Sequence, residues 1–247
     1  MAFDRILARL VHVAPDVWLL KGGVALEYRL QHSRATADVD ISAKLAFAGM
    51  QEVLEHAAAA EMADYFAMRV VQISKPIDDI DTYRFRLDVV FATGRLFEPM
   101  NLDVGFADPW LGTPQALTAP SLLEFAGIRP TTVYAIPASQ HIAEKLHAYT
   151  RGYGADRLRP STRVKDLIDL ALLLQSDAPE PEELATTIRD VFTARTSHAI
   201  PKRLPQPPTS WSAGYPALAG DLPIPKTSRE AFEYVRDVLD PILQAIG

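Results

Sequence analysis

Two aspartates separated by one residue, Asp38 and Asp40, are the strongest candidates for chemistry in this sequence. Residues 39–42 alternate apolar and polar side chains, which predicts a strand. Residues two apart on a strand point to the same face, so both carboxylates project together. Like charges on one face repel each other unless a cation lies between them. Because hard oxygen ligands favour Mg²⁺ or Mn²⁺ over zinc, we predict that this pair binds one of these two ions.

A Gly-Gly pair, Gly22 and Gly23, precedes a predicted short helix over residues 24–30. Backbone N–H groups at the start of a helix are available to meet a phosphate, and the helix dipole favours negative charge there. A Gly-Gly turn and an Asp-x-Asp pair each occur often by chance. Found together in this order, they predict a site for phosphate and metal.

A third carboxylate could complete the metal site, and two aspartates compete for this role. Asp103 lies between apolar residues in a predicted strand over 101–106, and Asp88 lies in a predicted strand over 83–91. We favour Asp103 as the third ligand. The alternative for either residue is an ordinary polar position on a half-buried strand.

The second half of the chain offers further charged candidates. Lys145 lies in a predicted helix over 138–149, and Asp166 lies in the first turn of another over 164–174. An acid in a first helical turn is also favourable without any further role. Residues 141–165 contain two acids, Glu144 and Asp156, and six basic residues. The basic residues are Lys145, Arg151, Arg157, Arg159, Arg163 and Lys165. Such a run is typical of a binding surface for a polyanionic substrate, or of a solvated loop.

The elements that must position these residues divide the chain into two parts. The first has helices over 3–13 and 51–62 and strands over 66–74, 83–91 and 101–106, with Gly94 predicting a hairpin between the last two. The second has helices over 138–149, 164–174, 181–192 and 228–246, the last capped by Ser228. We therefore predict an α/β (α+β) fold: a mixed-sheet core in residues 1–125, then a mainly helical domain in 126–247.

Composition excludes several classes of protein. The chain of 247 residues has no cysteine, which rules out disulfides, Cys-ligated zinc and a thiol nucleophile. Its net charge of −6 disfavours non-specific coating of DNA. Charged residues interrupt every apolar run near the N-terminus, so we expect no signal peptide or membrane span and a cytoplasmic protein.

Taken in order, these residues resemble the AbiEii-type nucleotidyltransferase toxins, which include the MenT toxins, within the DNA polymerase β-like superfamily. The resemblance spans about 150 residues and is carried by Leu20-Lys21-Gly22-Gly23 with Leu26, Arg34-x-Thr36-x-Asp38-x-Asp40, Asp103, Glu144-Lys145-Leu146 and Arg163-x-Lys165-Asp166-x-x-Asp169-Leu170. The wider superfamily often has Gly-Ser where this chain has Gly22-Gly23. Backbone amides would then meet the phosphate without help from a hydroxyl.

The resemblance implies transfer of a nucleotide from an NTP to an acceptor, often RNA and in some members the 3′ end of tRNA. It also implies a nucleotidyltransferase core and a helical companion domain, and it makes a cognate antitoxin a possible partner, although the sequence does not reveal whether one exists. By motif, Asp38 and Asp40 are metal ligands, Lys145 contacts the triphosphate and Asp166 is a further essential acid. The motif's expected nucleotide-binding residues are Lys21, Gly22, Gly23, Arg34 and Lys145.

Three other functions compete with this interpretation. A nucleotidyltransferase can modify a protein or a small molecule instead of RNA. A metal-dependent phosphohydrolase is less well supported because the six histidines are scattered and form no His-Asp metal motif. A catalytically degenerate binding protein would not need the acids and the lysine of the motif. The preferred NTP, the acceptor and the oligomeric state stay open.

Overall fold

The computed structural model describes residues 1–31, 35–75, 81–91, 93–152 and 163–246. The chain divides into two compact units, Met1–Ile136 and Pro137–Gly247. This division falls later than the boundary we expected after residue 125. The reason is a short strand, Thr132–Ala135, which pairs with strands of the first unit and keeps the intervening residues with it.

The first unit combines seven strands with three α-helices in its described part. The strands are β1 (Trp18–Lys21), β2 (Asp38–Ala43), β3 (Phe66–Ser74), β4 (Thr82–Phe91), β5 (Leu96–Gly105), β6 (Gln115–Thr118) and β7 (Thr132–Ala135). The helices are α1 (Ala2–Val13), α2 (Gly22–Leu30) and α3 (Phe47–Ala59), with a short 3₁₀ turn at Glu124–Ala126.

The seven strands form one mixed sheet in the order β3-β4-β5-β2-β1-β7-β6. β2 runs parallel to β5 and β1 parallel to β7, whereas the other neighbours are antiparallel. The predicted hairpin is confirmed between β4 and β5. Gly94 turns the chain with a φ of +85°, a conformation that costs glycine nothing, and its N–H donates to the Phe91 carbonyl at 2.8 Å. The mixed α/β fold predicted from the sequence is confirmed.

One face of the sheet is apolar because β2 and β5 alternate. Val39 and Ile41 on β2 and Leu102 and Val104 on β5 are fully buried, and they share one core with apolar side chains of α1 and α3. Burying each such side chain contributes roughly 1.5–3 kcal/mol. Successive residues of a strand point to opposite faces. The polar residues between these apolar ones therefore lie on the other face of the sheet.

The second unit is helical in its described part, as predicted. Its helices are α4 (Ala138–Thr150), α5 (Val164–Ser176), α6 (Pro181–Arg195), α7 (Trp211–Ala219) and α8 (Ser228–Ile246). None of the helices in the described ranges is long and apolar enough to cross a membrane.

The predicted cap of α8 was wrong by one residue. Thr227 caps this helix, because its Oγ1 accepts from the Glu230 N–H at 3.2 Å while the Glu230 carboxylate accepts from the Thr227 N–H at 3.2 Å. This reciprocal pair is a capping box, which needs Glu three residues after the capping hydroxyl. Ser228 is the first residue of the helix instead.

Candidate active site

Four charged residues stand in register across four adjacent strands of the first unit. Arg84 on β4 pairs with Asp103 on β5, Asp103 pairs with Asp40 on β2, and Asp40 pairs with Lys21 on β1. Directly paired residues have their side chains on the same face of a sheet. Arg84, Asp103, Asp40 and Lys21 therefore form a line, here called the charged row, on the face opposite the apolar core.

Asp38 lies beside the charged row, two residues before Asp40 on the same face of β2. Its Oδ1 accepts a hydrogen bond from Asn101 Nδ2 at 2.9 Å, and its Oδ2 lies 3.3 Å from Arg84 Nη2. Asn101 is the register partner of Asp38 on β5. The predicted geometry of the Asp-x-Asp pair is thus present, and each oxygen of Asp38 has a fixed neighbour.

Arg84 is the member of the row that the sequence analysis missed. Its Nε donates to Asp103 Oδ1 at 2.8 Å and its Nη2 to Asp103 Oδ2 at 2.7 Å, a two-point contact that gives a strong charge-assisted pair. The hydrogen bonds with Asp103 raise the pKa of Arg84 above its usual value, although burial acts in the opposite direction. In sequence, Arg84 is an ordinary polar position of an alternating strand, so only the strand order reveals its partners.

The structure distinguishes the two candidates for the third carboxylate by position. Asp103 stands next to Asp40 in the charged row. Asp88 lies four residues from Arg84 along β4, about 13 Å at the usual rise of a strand, and its carboxylate is 3.0 Å from Arg69 Nη2. Asp103 is therefore the carboxylate within reach of Asp38 and Asp40.

Whether the carboxylates on this face could bind a metal ion is judged from the chemistry of their oxygen donors. Within the described ranges, no three His, Asp or Glu side chains are arranged to hold an ion, and Asp103 is engaged by Arg84. Mg²⁺ in proteins is commonly bound by one or two carboxylates together with substrate phosphates. Asp38 and Asp40 fit that demand, and Asp103 as a third ligand stays a prediction.

Gly22 brings the start of α2 against Asp40. Its φ is +67°, and a Cβ built on it would lie 2.8 Å from the Asp40 Cβ and would overlap the carboxylate. A Cβ on Gly23 would lie 2.6 Å from Thr36 Oγ1. Both glycines allow a close approach of the backbone that no other residue permits, which explains why this turn needs two of them.

Replacing Gly22 by alanine is expected to destabilise the protein more than the same change at Gly94. Both positions have positive φ, so each substitution incurs backbone strain of roughly 1–2 kcal/mol. At Gly94 no atom of the described residues lies within 4 Å of an added Cβ, whereas at Gly22 the Asp40 side chain must move. Urea denaturation of both variants measures the difference, and equal losses of stability would contradict the close approach to Asp40.

Lys21, at the end of the charged row, forms an ion pair with Asp108. Both side chains are mostly buried, with 14% and 12% of their surface exposed. They flank Gly105, where an added Cβ would lie 2.9 Å from Lys21 Nζ. Asp108 was not anticipated because it follows β5 in a loop. Arg34, the other predicted phosphate contact of this region, lies outside the described residues.

A second ionic cluster lies in the helical unit and joins α4 to α5. Lys145 Nζ is 2.7 Å from Asp169 Oδ2 and 3.4 Å from Asp166 Oδ1. Both aspartates are fully buried, and the lysine side chain is 10% exposed. Arg163 Nε lies 3.1 Å from Asp166 Oδ2, but the contact lacks hydrogen-bond geometry, since that oxygen has no hydrogen-bond partner among the described residues.

Lys145 remains charged despite its burial. Burial alone would lower the pKa of Lys145, but Asp169 and Asp166 outweigh it and hold that pKa above its usual value. An ammonium has three donors, and the two carboxylates account for two of them. Asp169 lies closer to Lys145 than Asp166 does. The sequence predicted no separate role for Asp169, which was only part of the family motif.

The predicted basic run is only partly within the described chain. Arg157 and Arg159 lie outside the described residues. Arg163 is exposed but contacts the buried Asp166, and Lys145 belongs to the ionic cluster. Of the other two described basic residues of the run, Lys165 is exposed and Arg151 is partly buried.

A comparison with known protein families identifies the family of this chain. Residues 5–239 match the family described as nucleotidyl transferase AbiEii toxin of type IV toxin–antitoxin systems. None of the curated proteins matches the sequence at a significant level. Among solved structures, the nucleotidyltransferase toxin MenT4 of Mycobacterium tuberculosis is similar, with a TM-score of 0.56 and 18% identity over 99% of this chain and 91% of that chain.

Two structures from Helicobacter pylori are also similar. One superposes with a TM-score of 0.51 and 15% identity over 98% of this chain and 94% of that one. The other, JHP933, has a TM-score of 0.47 and 16% identity over 98% and 88%. At these identities, MenT4 and the first Helicobacter pylori structure, whose TM-scores exceed 0.5, establish the fold alone. The family match covers nearly the whole chain, and this protein is therefore a nucleotidyltransferase that belongs to the AbiEii toxin family.

Proposed function

We propose that this nucleotidyltransferase moves a nucleotide from an NTP to a hydroxyl of RNA, at the 3′ end of tRNA, and depends on Mg²⁺ or Mn²⁺ bound by Asp38 and Asp40. The observation that carries the proposal is the pair of carboxylates on one face of β2, with Asp103 beside Asp40 and the backbone of Gly22 packed against it. Carboxylates beside a helix start suit the binding of a metal and a phosphate together.

The proposed reaction is an in-line displacement at the α-phosphorus. The acceptor hydroxyl oxygen forms a bond to the α-phosphorus, the bond from that phosphorus to the bridging oxygen breaks, and pyrophosphate leaves while the hydroxyl proton is released. A divalent cation, when bound, neutralises charge on the phosphoryl oxygens and lowers the pKa of the attacking hydroxyl. The protein must hold the ion and orient both substrates.

The residues of the first unit divide these tasks. Asp38 and Asp40 would hold the ion, with Asp103 as the proposed third ligand. Asn101 fixes the orientation of Asp38 by its hydrogen bond, as groups behind a metal ligand usually do. The backbone amides at the start of α2 would face the phosphates, because Gly22 and Gly23 have no side chains there.

The remaining roles come from the family motif. We propose Lys145 as a triphosphate contact and Asp166 as an essential acid, with Lys21 and Arg34 as further phosphate contacts. A lysine held charged by two buried carboxylates supports the first assignment, since an ammonium acts on phosphate as a point charge. The two aspartates would then position this ammonium.

The basic residues between positions 141 and 165 offer a test of whether the acceptor is RNA. We expect reversal of Arg151, Arg157 and Arg159 to glutamate to weaken RNA binding while NTP binding is largely kept. For single-stranded RNA the log–log dependence on salt has a slope of about −0.7 per neutralised phosphate, and it should become shallower in the variant. Arg163 is left unchanged because it contacts Asp166 in the ionic cluster.

The matched control reverses three exposed cations elsewhere in the helical unit, Arg189, Lys202 and Arg203, and so changes the net charge equally. Filter binding at low salt compares the two variants. A protein or small-molecule acceptor would be favoured if the first variant bound RNA as tightly as the control variant.

The competing functions give different products from labelled NTPs. Labelled RNA supports the proposal, whereas label on protein or a small molecule supports a different acceptor. Binding of NTP without any product would indicate a degenerate binding protein. We further propose that the protein acts in the cytoplasm, where NTPs and tRNA are present. A neighbouring gene for a small antitoxin would support its action as the toxin of a pair.

A further inference from the structure

Arg84 occupies the space between two of the carboxylates that the proposed function assigns to a metal. Its Nη2 lies 2.7 Å from Asp103 Oδ2 and 3.3 Å from Asp38 Oδ2, so one guanidinium nitrogen bridges both acids. Asp38 and Asp103 have no direct register with each other, because Asp38 pairs with Asn101. Arg84 is therefore the side chain that links them.

The electrostatics of this face require a cation. Asp40 and Asp103 pair directly across β2 and β5, strands that lie about 4.8 Å apart, and Asp38 is two residues from Asp40 on the same face. Three carboxylates this close repel one another unless positive charge lies among them. Lys21 stands beside Asp40 in the charged row and also pairs with Asp108. Arg84 thus supplies neutralising charge directly at the Asp38 and Asp103 oxygens.

The same position makes Arg84 a competitor of a divalent ion. A metal ligated by Asp38 would lie near the guanidinium, and the two cations would repel each other. A metal that took an Asp103 lone pair now bonded to Arg84 would break at least one of the two hydrogen bonds between them. The Arg84 side chain is 37% exposed, so it has access to solvent, whereas Asp103 is 14% exposed and more firmly enclosed.

We propose that Arg84 is an exchangeable counter-ion of the metal site: it holds Asp38 and Asp103 together when no ion is bound, and it releases them when a divalent cation binds. Arg84 then sets the affinity of the site for metal and makes Asp103 available as a ligand only in the metal-bound state. This inference rests on the proposed metal site at Asp38 and Asp40.

The test measures binding of Mn²⁺ to the nucleotide-free protein, by the electron paramagnetic resonance signal of the free ion. Arg84→Gln is expected to bind Mn²⁺ at least about tenfold more tightly than the wild type, because a competing cation has been removed. Arg86→Gln is the matched control. It removes the same charge from the same face of β4, two residues away and opposite Asn101, and is expected to change the affinity less than about threefold.

Two further variants complete the experiment. Asp38→Asn is expected to abolish Mn²⁺ binding, and retained binding would overturn the proposed metal site itself. Arg84→Lys keeps the charge but loses the fork that bonds both Asp103 oxygens, so its affinity is expected to lie between those of the wild type and Arg84→Gln. If Arg84→Gln fails to fold, this variant decides in its place.

The melting temperature supplies a readout independent of binding. Without metal, Arg84→Gln is expected to melt below the wild type, because the carboxylates lose their counter-ion, and Mn²⁺ should raise its melting temperature more than that of the wild type. Unchanged or weaker Mn²⁺ binding in folded Arg84→Gln, with Asp38→Asn binding none, would overturn the role of Arg84 while leaving the metal site standing.

Discussion

Asp38→Asn and Asp40→Asn are each expected to lower the rate of nucleotidyl transfer about 10³-fold while the fold survives. Each change removes one of the two carboxylates proposed to hold the catalytic ion. Such an ion is worth several kcal/mol of transition-state stabilisation, and about 4 kcal/mol corresponds to a thousandfold in rate. Stability without metal should be little affected, because the loss of one like charge from the face of β2 offsets the contacts that the carboxylate loses.

The rate of incorporation of labelled nucleotide measures this loss, and thermal melting checks the fold. Asp88→Asn is the matched control, because Asp88 lies on the same sheet but pairs with Arg69 away from the charged row. It is expected to keep its rate within about threefold, a change of less than 1 kcal/mol. Retention of more than about a tenth of the wild-type rate by either Asp38→Asn or Asp40→Asn would refute the metal assignment, because a tenfold loss is only about 1.4 kcal/mol.

Lys145→Ala is expected to destabilise the helical unit by about 3–5 kcal/mol, the usual cost of leaving buried charges without their partner. Asp166 and Asp169 on α5 are fully buried, and removal of the ammonium of α4 leaves both carboxylates buried without it. The pKa of Lys145 is raised in the folded protein, so its stabilising effect is fully present below about pH 10.4 and is lost as the pH rises through the folded value.

Lys165→Ala provides the control for this prediction. Lys165 lies on α5, the helix that carries Asp166 and Asp169, but it is exposed, and its loss is expected to change the free energy of unfolding by no more than about 0.5 kcal/mol. Urea denaturation at pH 7 measures both variants. A loss below about 1 kcal/mol in Lys145→Ala would mean that the ionic cluster is not a structural support, and that its aspartates find other partners.

Local patterns in the sequence were sufficient for one part of the site. Alternation in β2 predicted that Asp38 and Asp40 share a face, and Gly94 predicted the hairpin between β4 and β5. Both features depend on residues that are close in sequence. The family motif then supplied Lys145 and Asp166, whose mutual contact the structure contains at 3.4 Å.

The rest of the site depends on contacts between distant strands, which alternation cannot predict. β5 pairs in parallel with β2, although the two strands are about 60 residues apart in the sequence. This pairing brings Asp103 next to Asp40. Arg84 acquires its role only through that arrangement. Three short elements were also missed: β1 and β6 have four residues each, and α7 contains Pro216 and Gly214, which weaken any helical pattern.

The most direct test of the central claim compares two labels on the same NTP. The wild-type protein is incubated with RNA and Mg²⁺ and with NTP that carries ³²P at either the α or the γ position. Nucleotidyl transfer predicts that the α label enters RNA and that the γ label appears only in pyrophosphate, with neither product formed in excess EDTA. Transfer of the γ label to an acceptor, release of the γ label as orthophosphate, or full activity in EDTA would contradict metal-dependent nucleotidyl transfer at Asp38 and Asp40.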